Sequence, residues 1–558
     1  MKSFFKKLHW YHYSLFIVVF ALSSFTAINS LTNYFEISKN LDIFASVYRE
    51  VNTNYVDEVD AGKIMKKGID EMLNSLDPYT NFFSESEVED FRFQITGTYG
   101  GIGAQIGNKG DYVVVTDPYE NCPAQKEDVR AGDIILEIDG KSTKGKNTSD
   151  ISKLLKGQAG TKLKMIIKRE NEGELTKTLT REEIHISNVP YFGMINENTG
   201  YIRLATFTND AGKEVKDALV ELKKNQQLKS VILDVRGNPG GLLNEAVNIV
   251  NVFTPQNQEV VSTKGKIKDK NFIYKTLNNP IDIEIPLVVL TNRSSASASE
   301  IVSGSIQDLD RGVIVGLKTF GKGLVQKTFP LNYNTQVKIT IAKYYTPSGR
   351  CIQALDYSHR NEDGSVGAVP DSLKKEFKTK NGRKVFDGGG VDPEIIVTHH
   401  TNSKLAESLI SKQLIFDFAT TYRIKHPKIV SAKEFHVSES DFDDFKKFIS
   451  GKEYDYMTAS EKALDDFKRK AEDEKYFAAV KDQFESLKHN LQHDKDADLG
   501  KNKSEIMQLL DKEITVRYYF QKARYEASFS SDEDIQEALK LFSDLNRYQN
   551  LLKGTTKK

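Results

Sequence analysis

An α/β protein built from several domains is the fold class that this sequence predicts, and three observations predict it. Over residues 184–400, short continuous apolar runs alternate with helical patterns, as in a sheet buried on both faces. The flanking regions differ in kind: 96–183 is a series of short strands and glycine turns, and 401–558 is charged and helical with little strand pattern. At 558 residues the chain also exceeds one ordinary core, so about two to four domains are expected.

Composition is that of a globular protein, 39% apolar and 28% charged. The 78 basic and 78 acidic residues cancel, so nothing global points to nucleic acid or an anionic surface. Cys122 and Cys351 would pair only if their Cα atoms came close, which sequence does not show. Two buried free thiols are the plain reading.

Residues 1–30 come first. Lys2, Lys6 and Lys7 precede Leu15-Phe-Ile-Val-Val-Phe-Ala-Leu22, which fades through Ser23, Ser24 and Thr26. A basic start and a short apolar run read as an export signal or a membrane anchor. The run is short of the ~20 residues that span a bilayer, although Trp10, Tyr11 and Tyr13 extend it. The small-x-small site Ala21-Leu-Ser23 sits early for cleavage. Both readings stand, and either places the remaining chain outside the cytoplasm, in the periplasm or anchored at the inner membrane.

Residues 31–95 form an N-terminal helical region. Leu41, Phe44, Val47, Tyr48 and Val51 recur at helical spacing, as do Ile64, Gly68, Met72 and Leu73. Leu76-Asp-Pro-Tyr-Thr80 is a turn, because the residue before proline avoids the helix. Ser84 followed by Glu87 caps a further helix toward Ile95. In 96–183 the strands are Tyr112–Thr116, Ile134–Ile138, Leu163–Ile167 and Leu175–Leu179, with a helix from Thr148 to Leu155. In 184–400 the strands Val231–Val235, Leu287–Leu290 and Val313–Leu317 are interleaved with helices Lys213–Leu222, Ala246–Phe253 and Ser299–Leu309. A long strand, Gln336–Tyr345, runs to Thr346-Pro-Ser-Gly349. In 401–558, Leu405, Leu409, Leu414 and Phe418 begin one amphipathic stretch. Phe467, Phe477, Val480, Phe484 and Leu487 suggest a second, and Ile506, Leu509, Leu510, Ile514 and Tyr518 a third. The plain reading is a helical extension that packs on the core or on a second subunit, which leaves a homo-oligomer open.

Two short segments carry candidate chemistry: Asn292-Arg-Ser-Ser-Ala-Ser-Ala-Ser-Glu300 and Thr319-Phe-Gly-Lys-Gly-Leu-Val-Gln326. Ser297 follows a strand and opens a helix, where unpaired N–H groups and the helix dipole favour developing negative charge. A helix cap is the alternative for this serine. Lys322 would act as a base only if its pKa fell from ~10.4 to about 7–8. Burial supplies such a shift, and Phe320, Leu324 and Val325 are the apolar neighbours expected to provide it. A solvated surface charge is the alternative. Gln326 would orient the amine as a neutral acceptor, or be an ordinary strand glutamine. No histidine stands in a comparable setting. A third segment, Asp234-Val-Arg-Gly-Asn-Pro-Gly-Gly241, takes a buried strand through a glycine turn into a helix, the usual position of a site on an α/β sheet. Its backbone N–H groups are candidates for an oxyanion hole, and a tight turn without a ligand is the alternative.

These segments resemble the carboxyl-terminal processing peptidases, or tail-specific proteases, over roughly residues 40–400. The resemblance rests on Leu76-Asp-Pro-Tyr-Thr80, Gly101-Ile-Gly-Ala104, Leu233–Gly241, Ser295-Ala-Ser-Ala-Ser-Glu300, Thr319–Gly323, Val325-Gln326 and Ala342-Lys-Tyr-Tyr-Thr-Pro-Ser-Gly349, in the right order. Carried over position by position, it implies that Ser297, the middle serine of its motif, is the nucleophile, Lys322 the general base and Gln326 the residue that holds the lysine. It also implies that the backbone N–H groups of Ala298 and of Gly240 and Gly241 form the oxyanion hole, and that Asp308 supports the site. Asn292-Arg-Ser-Ser departs from the glycine that many members have before the motif. The strand-rich 96–183 resembles the family's PDZ domain, with Gly101, Ile102 and Gly103 on the loop that receives a terminal carboxylate. Backbone N–H groups of a glycine turn suit an anion, and an extended peptide can add to a sheet edge. The core at 184–400 is then expected to be crotonase-like.

The resemblance implies a serine endopeptidase that acts on proteins with accessible C-termini and needs no cofactor or metal. The rival reading is a non-catalytic PDZ scaffold, which would have lost at least one of Ser297, Lys322 and Gln326. Other chemistries lack their motifs. Gly316-Leu-Lys-Thr-Phe-Gly-Lys322 fails as a phosphate loop because Gly323 stands where Ser or Thr is needed, and Gly101–Ile106 lacks the last glycine of a dinucleotide loop. No His-Glu-x-x-His, Gly-x-Ser-x-Gly or Cys-x-x-Cys segment occurs.

Overall fold

Five parallel strands and one antiparallel edge strand make the central sheet, in the order Tyr191–Met194, Thr199–Arg203, Ser230–Asp234, Leu287–Thr291, Val313–Gly316 and Ile395–Ile396. It is seen in a computed structural model of the chain, which describes residues 34–398, 402–491 and 495–555. The strands Ser230–Asp234 and Leu287–Thr291 are buried at every residue, which is why they read as unbroken apolar runs. Alternate side chains go to opposite faces. Val231, Leu233, Leu287 and Val289 join the helices Ala211–Leu222, Leu243–Phe253 and Ala298–Asp308 in one core. Ile232, Val288, Leu290 and Val315 pack on the other side, against Phe529, Ile535, Leu541, Tyr548 and Leu552.

That second layer bears out the first alternative for the C-terminal extension, packing on the core: the helices Glu533–Ser543 and Leu545–Lys553 cover the sheet. The Tyr548 hydroxyl bonds to both the N–H and the carbonyl of Leu287, at 2.9 and 3.1 Å. The preceding helices form a core of their own, in which Leu405, Leu409, Phe418, Phe445 and Ile506 meet. The first expected amphipathic stretch is two helices, Lys404–Ser411 and Leu414–Lys425, broken at Gln413, whose φ is 58°. The second is likewise two, Ala459–Asp473 and Phe477–Asn490. The third, Lys503–Glu526, is kinked at Phe520.

The strand-rich region forms a sheet of Ala104–Lys109, Tyr112–Pro118, Ile134–Ile138, Lys162–Arg169 and Gly173–Thr180. Helix Thr148–Leu155, N-capped by Asn147, closes its core through Ile151 and Leu155. It meets the helical domain through Lys109 to Asp417 at 2.6 Å, Gln413 Nε2 to the Asn108 carbonyl at 2.6 Å and Lys522 to Glu120 at 3.3 Å.

Of the described residues, 34–88 with 327–339 form one compact unit and 89–326 with 340–555 the other. The first holds a helix at 34–54, the helix Ala61–Asn74 capped by Asp60, and the strand Asn81–Phe83 paired antiparallel with Gln336–Lys338. Ser84 binds Glu87 Oε2 through its N–H and its hydroxyl, at 2.9 and 2.7 Å, the cap expected there. Both cysteines are free thiols, as expected, but half-buried rather than buried. The apolar run at 15–22 lies outside the described residues, and among those residues no helix is long and apolar enough to cross a membrane.

Candidate active site

Three loops meet at the C-terminal ends of the parallel strands. The loop after Leu287–Thr291 carries Ser297, which begins helix Ala298–Asp308 with φ 55° and ψ −112°. Two of its serine neighbours are occupied. Ser295 Oγ donates to the Val235 carbonyl at 2.9 Å, and Ser299 Oγ to the Asn238 carbonyl at 2.9 Å. Both are fully buried, whereas Ser297 is half-buried. Ser295 and Ser299 are thus structural hydroxyls, and Ser297 stands at the N-cap of its helix in a capping box with Glu300.

The second loop, after strand Val313–Gly316, carries Lys322. What joins it to Ser297 is Glu300, to which sequence reasoning gave no role. Glu300 Oε2 accepts the backbone N–H of Ser297 at 2.8 Å and that of Lys322 at 2.9 Å. Its Oε1 accepts the Thr319 hydroxyl at 2.6 Å and the Gly321 N–H at 2.7 Å. One buried carboxylate therefore bridges the candidate nucleophile and base through their own backbones. Burial pushes its pKa up to about 7, against the lowering effect of those four donors. The signal was present as Ser297-x-x-Glu300, the spacing of a capping box.

Lys322 is half-buried. Leu324 is buried as expected, but Phe320 is 49% exposed, so the apolar setting expected for the amine is less complete than the sequence suggests. Gln326 Nε2 donates to Thr340 Oγ1 at 3.2 Å. Asp308 stands at the other end of the Ser297 helix, about 15 Å away at ~1.5 Å per residue. There it accepts from Arg350 at 2.9 Å and from the Ser348 N–H at 3.1 Å, fully buried. Any support it gives is to the far end of the helix, not to the reacting groups.

The third loop is the turn after Ser230–Asp234. Asn238 organises it: its carbonyl accepts the Ala296 N–H at 3.0 Å, and its Oδ1 accepts the Gly240 N–H at 2.9 Å. The expectation that both glycines offer N–H groups to an oxyanion is thereby narrowed, since that of Gly240 is taken. Gly240 still sets the geometry. Its φ is +98°, and a Cβ there would stand 2.8 Å from Ser297 Cβ and 2.9 Å from the Ala298 nitrogen. Asp234 anchors the turn from below. Burial alone would raise its pKa, but Arg236 and Arg203 hold the carboxyl well below its usual range, with the Tyr201 hydroxyl at 2.7 Å.

Gly101, Ile102 and Gly103 lie in the strand-rich domain, where the carbonyls of Ile102 and Gly103 accept from Ala124 and Tyr119 at 2.8 and 2.9 Å. Beside them, strand Ala104–Lys109 and helix Thr148–Leu155 flank a cavity of about 220 Å³ lined by Tyr99, Ile102, Ile106, Leu155 and Lys156 among others. Gly157 N–H donates to the Gly100 carbonyl at 3.0 Å, which ties the helix end to the loop. Lys156 pairs with Asp90 at 2.9 Å and lies over the rings of Phe93 and Tyr99. Of these groove residues sequence reasoning named only Ile102 for tail binding; the others lie far apart in the chain.

Comparison with known proteins finds matches in three regions of the chain. Residues 198–358 match the model of peptidase family S41, 114–169 that of the PDZ domain, and 405–542 that described as "Probable PDZ-protease, C-terminal helical domain". The chain is 35% identical over 321 residues to a carboxy-terminal-processing protease of Bartonella bacilliformis, covering 57% of this chain and 73% of the relative. It is 32% identical over 361 residues to a "Probable CtpA-like serine protease" of Staphylococcus aureus strain N315, covering 62% and 72%. Among solved structures, a photosystem II D1 C-terminal processing protease is similar at 29% identity, covering 63% of this chain and 92% of its own, with a TM-score of 0.35.

Proposed function

The chain belongs to peptidase family S41 with the carboxy-terminal-processing proteases, and from that premise we propose that it cleaves exported proteins through a Ser297–Lys322 acyl-enzyme mechanism. It is a serine-type peptidase with a PDZ domain. The observation that carries the finer reading is the Glu300 carboxylate shared by the backbones of Ser297 and Lys322.

In this reading Lys322, as the neutral amine, takes the proton from Ser297 Oγ, which attacks a peptide carbonyl. The oxyanion forms next to the N–H groups of Ala298, at the first turn of its helix, and Gly241. The lysinium returns the proton to the leaving amine. The free amine then activates water, which releases the acyl group and restores Ser297. Gln326 holds Lys322 as a neutral partner. The C-terminal tail of the substrate binds at Gly101-Ile102-Gly103 and the adjoining cavity, and tail binding gates the core. Export by the N-terminal segment, cleaved or retained as an anchor, brings the enzyme to its substrates.

The test is cleavage of an unfolded reporter with an apolar C-terminus by the wild type, Ser297→Ala and Lys322→Ala. Activity in the wild type alone is the expected outcome. Activity that survives Ser297→Ala would show the nucleophile assignment to be wrong.

A further inference from the structure

We propose that Asp532 and Asp534, in the C-terminal segment, are positioning residues for the oxyanion turn and act through Arg236. The inference rests on the Ser297 peptidase reading above and adds a part of the chain that neither the motifs nor that mechanism includes.

Arg236 lies inside the turn that follows strand Ser230–Asp234. Its guanidinium is surrounded by three carboxylates. Nε and Nη2 bind Asp234, the latter at 2.6 Å, while Nη1 binds Asp532 at 2.9 Å and Asp534 at 2.7 Å. The side chain of Arg236 is 18% exposed, that of Asp532 18% and that of Asp534 1%. A planar fork held on two sides is fixed in orientation as well as position.

From Arg236 the constraint passes along two residues of backbone. Gly237 N–H donates to Asn292 Oδ1 at 2.9 Å. Asn238 then takes the N–H of Ala296 and the hydroxyl of Ser299, the residues flanking Ser297 and Ala298. The carboxylates of 532 and 534 thus hold one end of a short, hydrogen-bonded turn, and the other end is packed on the candidate nucleophile. Helix Glu533–Ser543 is in turn fixed on the sheet by Ile535, Ala538 and Leu541. Oxyanion donors act over tolerances well below 1 Å, and outright loss of one costs about 10²–10³ in rate. A loosened turn should lose part of that.

The experiment uses the full chain. Turnover of the unfolded reporter is resolved into kcat and KM for the wild type, Asp532→Asn, Asp534→Asn and Asp532→Glu. The rate of covalent labelling by a fluorophosphonate, which forms a tetrahedral adduct on the active serine, is measured beside thermal unfolding. Asp532→Asn is expected to lower kcat and labelling rate about tenfold, with KM within about twofold and the fold retained. Asp532→Glu is expected to recover most of the loss. Folded Asp532→Asn with wild-type kcat and labelling overturns the proposal, as does a change in KM alone. If Asp534→Asn fails to fold, the more exposed Asp532 still decides the matter. Labelling of wild type that persists in Ser297→Ala overturns the parent reading instead, and with it this one.

Discussion

Four hydrogen bonds converge on the Glu300 carboxylate, and this residue sets the sharpest predictions at the smallest scale. Glu300→Gln replaces one acceptor oxygen by a donor and leaves at least one buried N–H or O–H unpaired, worth about 1–3 kcal/mol for each group. Its pH signature has a definite sign. Burial raises the folded pKa from 4.5 to about 7, so the folded state holds this proton more tightly than the unfolded chain. Stability from this group is then present below about 4.5 and is lost as pH rises through 7, by on the order of 3 kcal/mol. Denaturant melts at several pH values should show that slope in the wild type and not in Glu300→Gln. A second prediction concerns Gly240→Ala. Its Cβ would meet Ala296 O at 2.7 Å at a φ of +98°, so kcat should fall by about 10² or more while circular dichroism keeps its native form. Ser297, Lys322 and Gln326 could be singled out as candidates because they lie in short local segments. Glu300 was not, because a cap needs one partner, and the other three donors arrive from a loop some twenty residues downstream. Asp308 misled for the opposite reason: a helix carries one motif across two ends of a domain.

At the scale of elements, the central strands were readable because burial on both faces leaves no polar alternation to confuse. The same property hid what covers the second face. Ile232 and Leu233 are both apolar, and nothing in either names a partner. The helices Glu533–Ser543 and Leu545–Lys553 are ordinary amphipathic helices in sequence, apart from Asp534, which is buried against Arg236. Their role is testable at Leu541, fully buried between helix and strands. Leu541→Ala should destabilise the core by about 2–5 kcal/mol, read as a lower denaturant midpoint, and a loss below 0.5 kcal/mol would show that the helix only rests on the surface. The helix breaks at Gln413 and Phe520 carry no proline or glycine, so no breaker residue marked them beforehand.

At the scale of the whole molecule, the C-terminal helical segment touches both the PDZ domain and the core. Residues around the kink contact the PDZ domain through Lys522 and Glu120, and a few residues later Glu526 meets Tyr191 of the core at 3.1 Å. The ion pairs at this joint are partly exposed, so each contributes less than about 1 kcal/mol. Tail recognition and cleavage should therefore be separable by a change made inside the PDZ loop. At Gly103 φ is +70°, and a Cβ would stand 2.3 Å from Cys122 Cβ. Gly103→Val should cut cleavage of a long-tailed reporter at least tenfold and leave hydrolysis of a short, untailed peptide within about twofold. Equal effects on both substrates would refute tail gating.

The backbone at Ser297 has one more consequence. A serine at φ 55° and ψ −112° occupies a conformation that costs on the order of 1–3 kcal/mol for any residue with a Cβ. Glycine would not bear that cost. Ser297→Gly should therefore abolish turnover and raise the melting temperature by about 2–4 °C. Heat resistance and reactivity pull this residue in opposite directions, and a dead enzyme should outlast a working one.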